Sequence, residues 1–217
     1  MSLRINDTAP NFEADTTDGP ISFYDWMGDG WAVIFSHPKD FTPVCTTELG
    51  VMAGMREDFA RRNAKIIGVS VDPVEDHHKW KSDIEAFSGN AVNYPMIGDP
   101  EMKVAKMYNM MPHSEEVGAA RTPAQNQTVR TVYVVGPDKK VKLALTYPMT
   151  TGRNFDEILR AVDSIQLTAK HAVATPANWK QGDDVIVTAS VSDDDAKSRF
   201  GGFEKKLPYL RTTKQPA

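Results

Sequence analysis

The chain has 217 residues, 41% hydrophobic and 25% charged, a globular composition with room for one main domain and a smaller appendage. A formal charge of −4 without a lysine or arginine run argues against a nucleic-acid surface, and a single cysteine, Cys45, excludes an internal disulfide framework. A free thiol suits a reducing compartment, read as the cytoplasm; the first residues lack a signal-peptide core and no apolar run reaches membrane-spanning length, so no membrane insertion is expected.

The apolar run over residues 31–36 predicts a buried strand. A helix follows from about Thr42 to Asn63, with Leu49, Met52, Met55 and Phe59 spaced by three and four. Residues 64–71 are rich in β-branched side chains and predict a second strand, ended by Pro73. A helix is expected over 75–87, a short strand over 94–98, a helix near 101–108 and a long polar loop over 109–127. Strands over 128–135 and 141–147 flank a Gly136-Pro137-Asp138 turn and form a hairpin. Asn154 heads a helix from Phe155 to about Thr168. Alternation of strands and helices predicts an α/β domain, a mixed sheet flanked by helices.

Composition shifts after Lys170, which places a main domain at 1–170 and a C-terminal extension at 171–217. The extension holds a turn-rich entry over 174–182, a strand over 184–191 and a helix over 193–200, a small α+β unit. Its core is small, so it is expected to pack on the main domain or on a second subunit.

Thr42 and Pro43 fit a helix N-cap followed by proline at the first helical position. Cys45 then lies in the first turn, near unpaired backbone N–H groups and the positive end of the helix dipole, both of which favour a thiolate. A helix start directly after a buried strand is also where α/β sheets bind ligands. Arg130 lies in a strand that otherwise reads as core, uncommon for arginine unless it is paired or functional.

The string His37-Pro38-Lys39-Asp40-Phe41-Thr42-Pro43-Val44-Cys45 resembles the Pro-x-x-x-Thr-x-x-Cys signature of the peroxiredoxins. The fuller string FSHPKDFTPVCTTELG is similar to the one-cysteine subfamily, as are VSVDPVEDHHKW, YPMTTGRNFDEILR and VATPANW. The resemblance implies a thioredoxin-like fold, a C-terminal extension in dimer contacts, possible higher assembly, and reduction of hydroperoxides by Cys45 without a cofactor. It places the family's catalytic arginine at Arg130 and a second site arginine at Arg153.

The implied chemistry makes physical sense of these residue types. Lowering a thiol's pKa from about 8.5 to about 6 raises its thiolate fraction near neutral pH roughly tenfold. The accompanying loss of nucleophilicity, with a Brønsted slope of about 0.4–0.5, nearly cancels that gain. Fast attack must therefore come from positioning and from stabilising charge on the peroxide oxygens. Thr42 offers a hydroxyl, the amides of Val44 and Cys45 offer donors, Arg130 offers a cationic fork, and Pro38 shields the sulfur. Glu48, one turn beyond Cys45, is placed to orient Arg130, or is a solvated helix carboxylate. His37 is a candidate to bond the oxidised sulfur or assist an incoming reductant. The chain has no second cysteine, so the sulfenic acid left on Cys45 needs an external reductant: glutathione, a thioredoxin-like protein or another small reductant.

Some members of this subfamily also hydrolyse phospholipids through a serine before the first core strand. Gly30 stands at that position and Tyr24 at that of its histidine, so no such activity is expected, and Asp138 reads as a turn residue. His77 and His78 are adjacent and cannot chelate together from one helix; they read as surface histidines, and no metal site is expected. A non-catalytic thioredoxin-like module remains an alternative that needs no Arg130.

Overall fold

A computed structural model describes residues 3–113 and 127–217. The chain divides into two compact units, 1–155 and 156–217. The compositional shift after Lys170 and this boundary differ because the helix beginning at Phe155 reads like the main domain yet groups with the C-terminal residues.

In the first unit, β1 (Glu13–Ala14) and β2 (Ile21–Ser22) form a small ribbon, followed by a short helix α1 (Phe23–Met27). Then come β3 (Trp31–Ser36), α2 (Pro43–Ala60), β4 (Ala64–Ser70), α3 (Val74–Ser88), β5 (Met96–Gly98) and α4 (Lys103–Met107). The hairpin of β6 (Arg130–Val135) and β7 (Val141–Tyr147) completes the sheet, ordered β5-β4-β3-β6-β7. Strands β3, β4 and β5 are parallel and β6 runs antiparallel to β3, a mixed sheet as expected. Part of the predicted 109–127 loop, 114–126, lies outside the described residues.

Side-chain alternation along the central strands separates two faces. Ala32 and Ile34 of β3, Ile67 and Val69 of β4, and Tyr133 and Val135 of β6 share one core cluster with Phe12, Phe23 and Met27. Val33 and Phe35 alternate with these and pair in register with Val134 and Val132, which puts Arg130 on that second face. Helix α2 packs against β4 and α3. Its buried positions Cys45, Glu48, Leu49, Met52, Ala53 and Phe59 follow a helical stripe.

The second unit contains α5, which spans Phe155–Lys170, then β8 (Val173–Ala174), β9 (Val185–Val187), α6 (Asp193–Phe200), β10 (Glu204–Leu207) and β11 (Leu210–Thr213). The strands form a sheet ordered β10-β11-β9-β8. Two small clusters hold it, one around Val173, Trp179 and Val185 and another around Val187, Val191 and Ala196. Helix α6 matches its predicted bounds because its ends are written locally. Ser192 accepts from the Asp195 amide at the N-cap, and Gly201 closes the helix at φ 73°.

Candidate active site

The carboxyl end of the central strand β3 delivers the chain to a tight turn over 37–42. Phe41 adopts φ 54°, uncommon for a bulky residue, and its exposed ring lies 5.9 Å from that of Trp80. Thr42 is extended, and α2 starts at Pro43, whose missing N–H costs nothing at a helix start. The first helical bond of this turn runs from the Thr46 amide to the Thr42 carbonyl at 3.0 Å. The amides of Val44 and Cys45 precede it and so have no intrahelical acceptor. Thr42 stands at the N-cap, but its side chain does not cap; the hydroxyl donates to the Lys39 carbonyl at 2.8 Å. Its one hydrogen is committed there, so its lone pairs are what it offers to a bound molecule. Pro38 is buried beside this turn.

Cys45 is fully buried and free. Nη1 of Arg130 lies 3.4 Å from its sulfur and 2.6 Å from Glu48 Oε2, and Nε donates to the Met149 carbonyl at 2.8 Å. The alternative of a solvated helix carboxylate is excluded for Glu48, which is 3% exposed, and Arg153 is likewise buried at 7%. Arg153 donates to Glu48 from its backbone amide, Nε and Nη2 at 2.8, 2.9 and 2.6 Å, and its guanidinium lies between Phe35 and Phe155 at 5.4 and 5.3 Å. Burial pushes the Glu48 carboxyl up, but the Arg153 bonds and charge, helped by Arg130, outweigh it and leave it below its ordinary value. Two arginines against one carboxylate leave one positive charge, which a thiolate at Cys45 would balance.

His37 is buried, and its Nε2 lies 2.8 Å from Asp40 Oδ1. The other carboxylate oxygen of Asp40 meets His77 Nδ1 at 2.5 Å, and His77 Nε2 faces the Ile97 carbonyl at 3.1 Å. His77 therefore is not the surface histidine expected from its neighbour; it is fully buried, and only His78 is exposed. The missed signal was spacing: His77 shares a helical face with Trp80 and Ile84, both buried. Asp40, within the same motif, joins the two histidines through its two carboxylate oxygens. His37, Asp40 and His77 also bring potential metal-ligand atoms within 4.8 Å of one another, a juxtaposition that sequence adjacency alone could not show.

The segment at the phospholipase position is occupied structurally. A Cβ on Gly30 would stand 2.8 Å from the Asn63 backbone carbonyl, which also accepts from the Trp31 amide. Tyr24 donates its hydroxyl to the Ala9 carbonyl at 2.6 Å, and Asp138 pairs with Lys142 at 2.6 Å in the β6–β7 turn. Among the described residues, no helix is long and apolar enough to cross a membrane.

Residues 5–144 match the AhpC/TSA family, and residues 164–202 match the C-terminal domain of 1-Cys peroxiredoxin. Peroxiredoxin-6 of Rattus norvegicus is 49% identical, over 99% of this chain and 98% of its own length. A crystallised mutant of peroxiredoxin 6 from Arenicola marina superposes with a TM-score of 0.91 at 45% identity, covering 99% of both chains. A yeast mitochondrial 1-Cys peroxiredoxin, described as resolved via glutathione/thioredoxin systems, gives a TM-score of 0.86 at 49% identity, over 98% of this chain and 99% of that one.

Proposed function

The chain belongs to the AhpC/TSA family and, within it, to the one-cysteine peroxiredoxins, which are thiol-dependent peroxidases, and from this premise we propose how its residues share the work. Cys45 is the peroxidatic residue. Its thiolate attacks the terminal oxygen of a hydroperoxide, which stays on the sulfur with its hydrogen; the O–O bond breaks, and the other oxygen leaves as an alkoxide or hydroxide that takes up a proton. Cys45 is left as sulfenic acid.

The observation that carries this assignment is the shared nitrogen of Arg130, 3.4 Å from the sulfur and 2.6 Å from Glu48. Glu48 and the Met149 carbonyl hold the guanidinium, so its charge meets developing oxyanion charge without reorganising. Thr42, with its hydrogen given to Lys39, accepts a hydrogen bond from the peroxide hydroxyl. The Val44 and Cys45 amides donate to the departing oxygen. Arg153 positions Glu48, and Pro38 keeps water from the sulfur.

With one cysteine in the chain, the sulfenic acid is recycled by an external thiol. The yeast relative supports glutathione or a thioredoxin-like protein in that part. His37, at the carboxyl end of β3, is assigned to this second half-reaction. The small cores of the second unit and the fully exposed strand β10 support a dimer-forming role for the C-terminal extension, with a homodimer as the basic assembly. A reducing compartment fits the free thiol; the cytoplasm is the reading adopted, although the yeast relative is mitochondrial.

The test mixes reduced protein with one equivalent of peroxide, reads the Cys45 product by mass, and follows the rate by stopped flow. Arg130→Ala is expected to slow the step while Cys45→Ser abolishes it. An unchanged rate in Arg130→Ala would show that the geometry around the sulfur is not what drives attack.

A further inference from the structure

The buried His37–Asp40–His77 cluster is fully connected, and its connections dictate where the protons sit. The Ile97 carbonyl can only accept, so His77 Nε2 carries a hydrogen. An ionised Asp40 can only accept as well, so His77 Nδ1 carries one too. His77 is thereby an imidazolium, paired with the carboxylate it touches. The remaining Asp40 oxygen accepts from His37 Nε2. His37 Nδ1 is buried and has no hydrogen-bond partner among the described residues. A hydrogen on that atom would be a buried cationic donor without an acceptor, whereas a bare lone pair costs less.

We propose that Asp40 and His77 are positioning residues that lock His37 in the tautomer with its hydrogen on Nε2, leaving Nδ1 as a buried base. The carboxylate does for His37 what a buried aspartate does for the histidine of a hydrolase triad: it fixes ring orientation and tautomer. Supporting this charge assignment, burial raises the Asp40 carboxyl, yet bonds from His37 and His77 bring it to about 2. Burial disfavours the His77 cation, yet Asp40, with the Ile97 carbonyl and Asp72, leaves its pKa raised. The network is anchored further by the Asp40 amide, which donates to Asp72 Oδ2 at 2.9 Å, the same oxygen that takes the Ser70 hydroxyl.

The inference rests on the assignment of His37 to the second half-reaction. There, an external thiol RSH gives its proton to Nδ1 as its sulfur attacks the sulfenic sulfur. The S–O bond breaks, the leaving oxygen takes that proton, and the products are the mixed disulfide Cys45–S–S–R and water. The sulfenic sulfur is reduced and the incoming sulfur oxidised, so the step balances without another reactant.

The test has two readouts on the full chain. A long-range proton–nitrogen spectrum of histidine-labelled protein should show His77 with both ring nitrogens protonated and His37 with hydrogen on Nε2 alone. Either a neutral His77 or a His37 carrying hydrogen on Nδ1 overturns the proposal, and this holds for the wild-type chain whatever the variants do. In Asp40→Asn, the His37 pattern should change, and reduction of preformed sulfenic acid by 2-mercaptoethanol should slow by roughly ten- to a hundredfold. Oxidation by hydrogen peroxide should slow much less. Equal slowing of both half-reactions, or none of the second, overturns the role given to the cluster. Failure of wild-type protein to react with peroxide would instead sink the peroxidase assignment. Tight Zn²⁺ binding by wild-type protein that shifts both histidines, and is lost in Asp40→Asn, would make the cluster a metal site and overturn the tautomer reading.

Discussion

Arg153 holds Glu48 by three hydrogen bonds, from its backbone amide, Nε and Nη2, and thereby sets the carboxylate against which Arg130 is aimed. The pair lies beneath the cysteine turn, not on the surface, and both side chains are buried. Arg153 comes from the segment after β7, Glu48 from α2 and Arg130 from β6, so the constellation ties three parts of the first unit together.

Glu48→Gln leaves two buried guanidinium groups with no carboxylate between them. Removing one partner of a buried ion pair is expected to cost about 3 kcal/mol or more, read as a lower urea midpoint with unchanged slope. The peroxide step should also slow, because Arg130 loses the 2.6 Å contact that fixes its direction.

Thr42→Val removes the hydroxyl while keeping the β-branched shape. The hydroxyl does not cap the helix, so the stability loss should be confined to its bond to the Lys39 carbonyl, about 1 kcal/mol. The rate of Cys45 oxidation should fall by roughly a hundredfold, the scale of losing one polar contact to the reacting oxygens. Thr42→Ser should recover most of it. Stopped-flow measurement with excess peroxide separates the three proteins.

Acid stability follows from two buried carboxyls. Asp40 has its pKa lowered from 3.8 to about 2, and that of Glu48 is lowered as well. Protons therefore bind the unfolded chain more readily than the folded one. The stabilisation is fully present above about pH 5, beyond the ordinary values of both groups, and is lost as pH falls toward 2, about 2 kcal/mol from Asp40. His77 runs the other way: its pKa is raised above 6.5, so its contribution is present below that value and lost as pH rises through the folded pKa. As pH is lowered from 5 to 2, denaturant midpoints should fall steeply in the wild type and less steeply in Asp40→Asn.

Gly30→Ser places a Cβ 2.8 Å from the Asn63 backbone carbonyl, an atom that cannot swing aside like a side-chain tip. The substitution should destabilise by about 1–3 kcal/mol, as overpacking does. It should not release fatty acid from phosphatidylcholine, because Tyr24 and Asp138 are engaged in structural bonds with Ala9 and Lys142. A fluorogenic lipid assay beside a thermal melt checks both outcomes.

The elements whose signals are local were legible in the chain. Strands β3 and β4 read from apolar runs, α2 from its stripe and proline start, and α6 from Ser192 and Gly201. The two-residue strands β1, β2 and β8 were not legible, nor was the β10–β11 hairpin. Such short strands exist only through distant pairings, and β10 alternates no buried side chain at all.

Among the site residues, sequence alone determined the cysteine turn. Pro38, Thr42 and Cys45 sit within eight positions, and helix geometry places the sulfur near unpaired amides wherever that helix goes. An arginine within an otherwise apolar strand likewise marked Arg130 as a charge that is paired or functional. Which partner it received was decided only in three dimensions. Glu48 lies 82 positions away from Arg130 and 105 from Arg153, and His77 reaches Asp40 across 37. Such pairs are selected by burial: an ion or imidazole withdrawn from water must find an opposite charge or acceptor, and only the packed fold determines which one lies within reach.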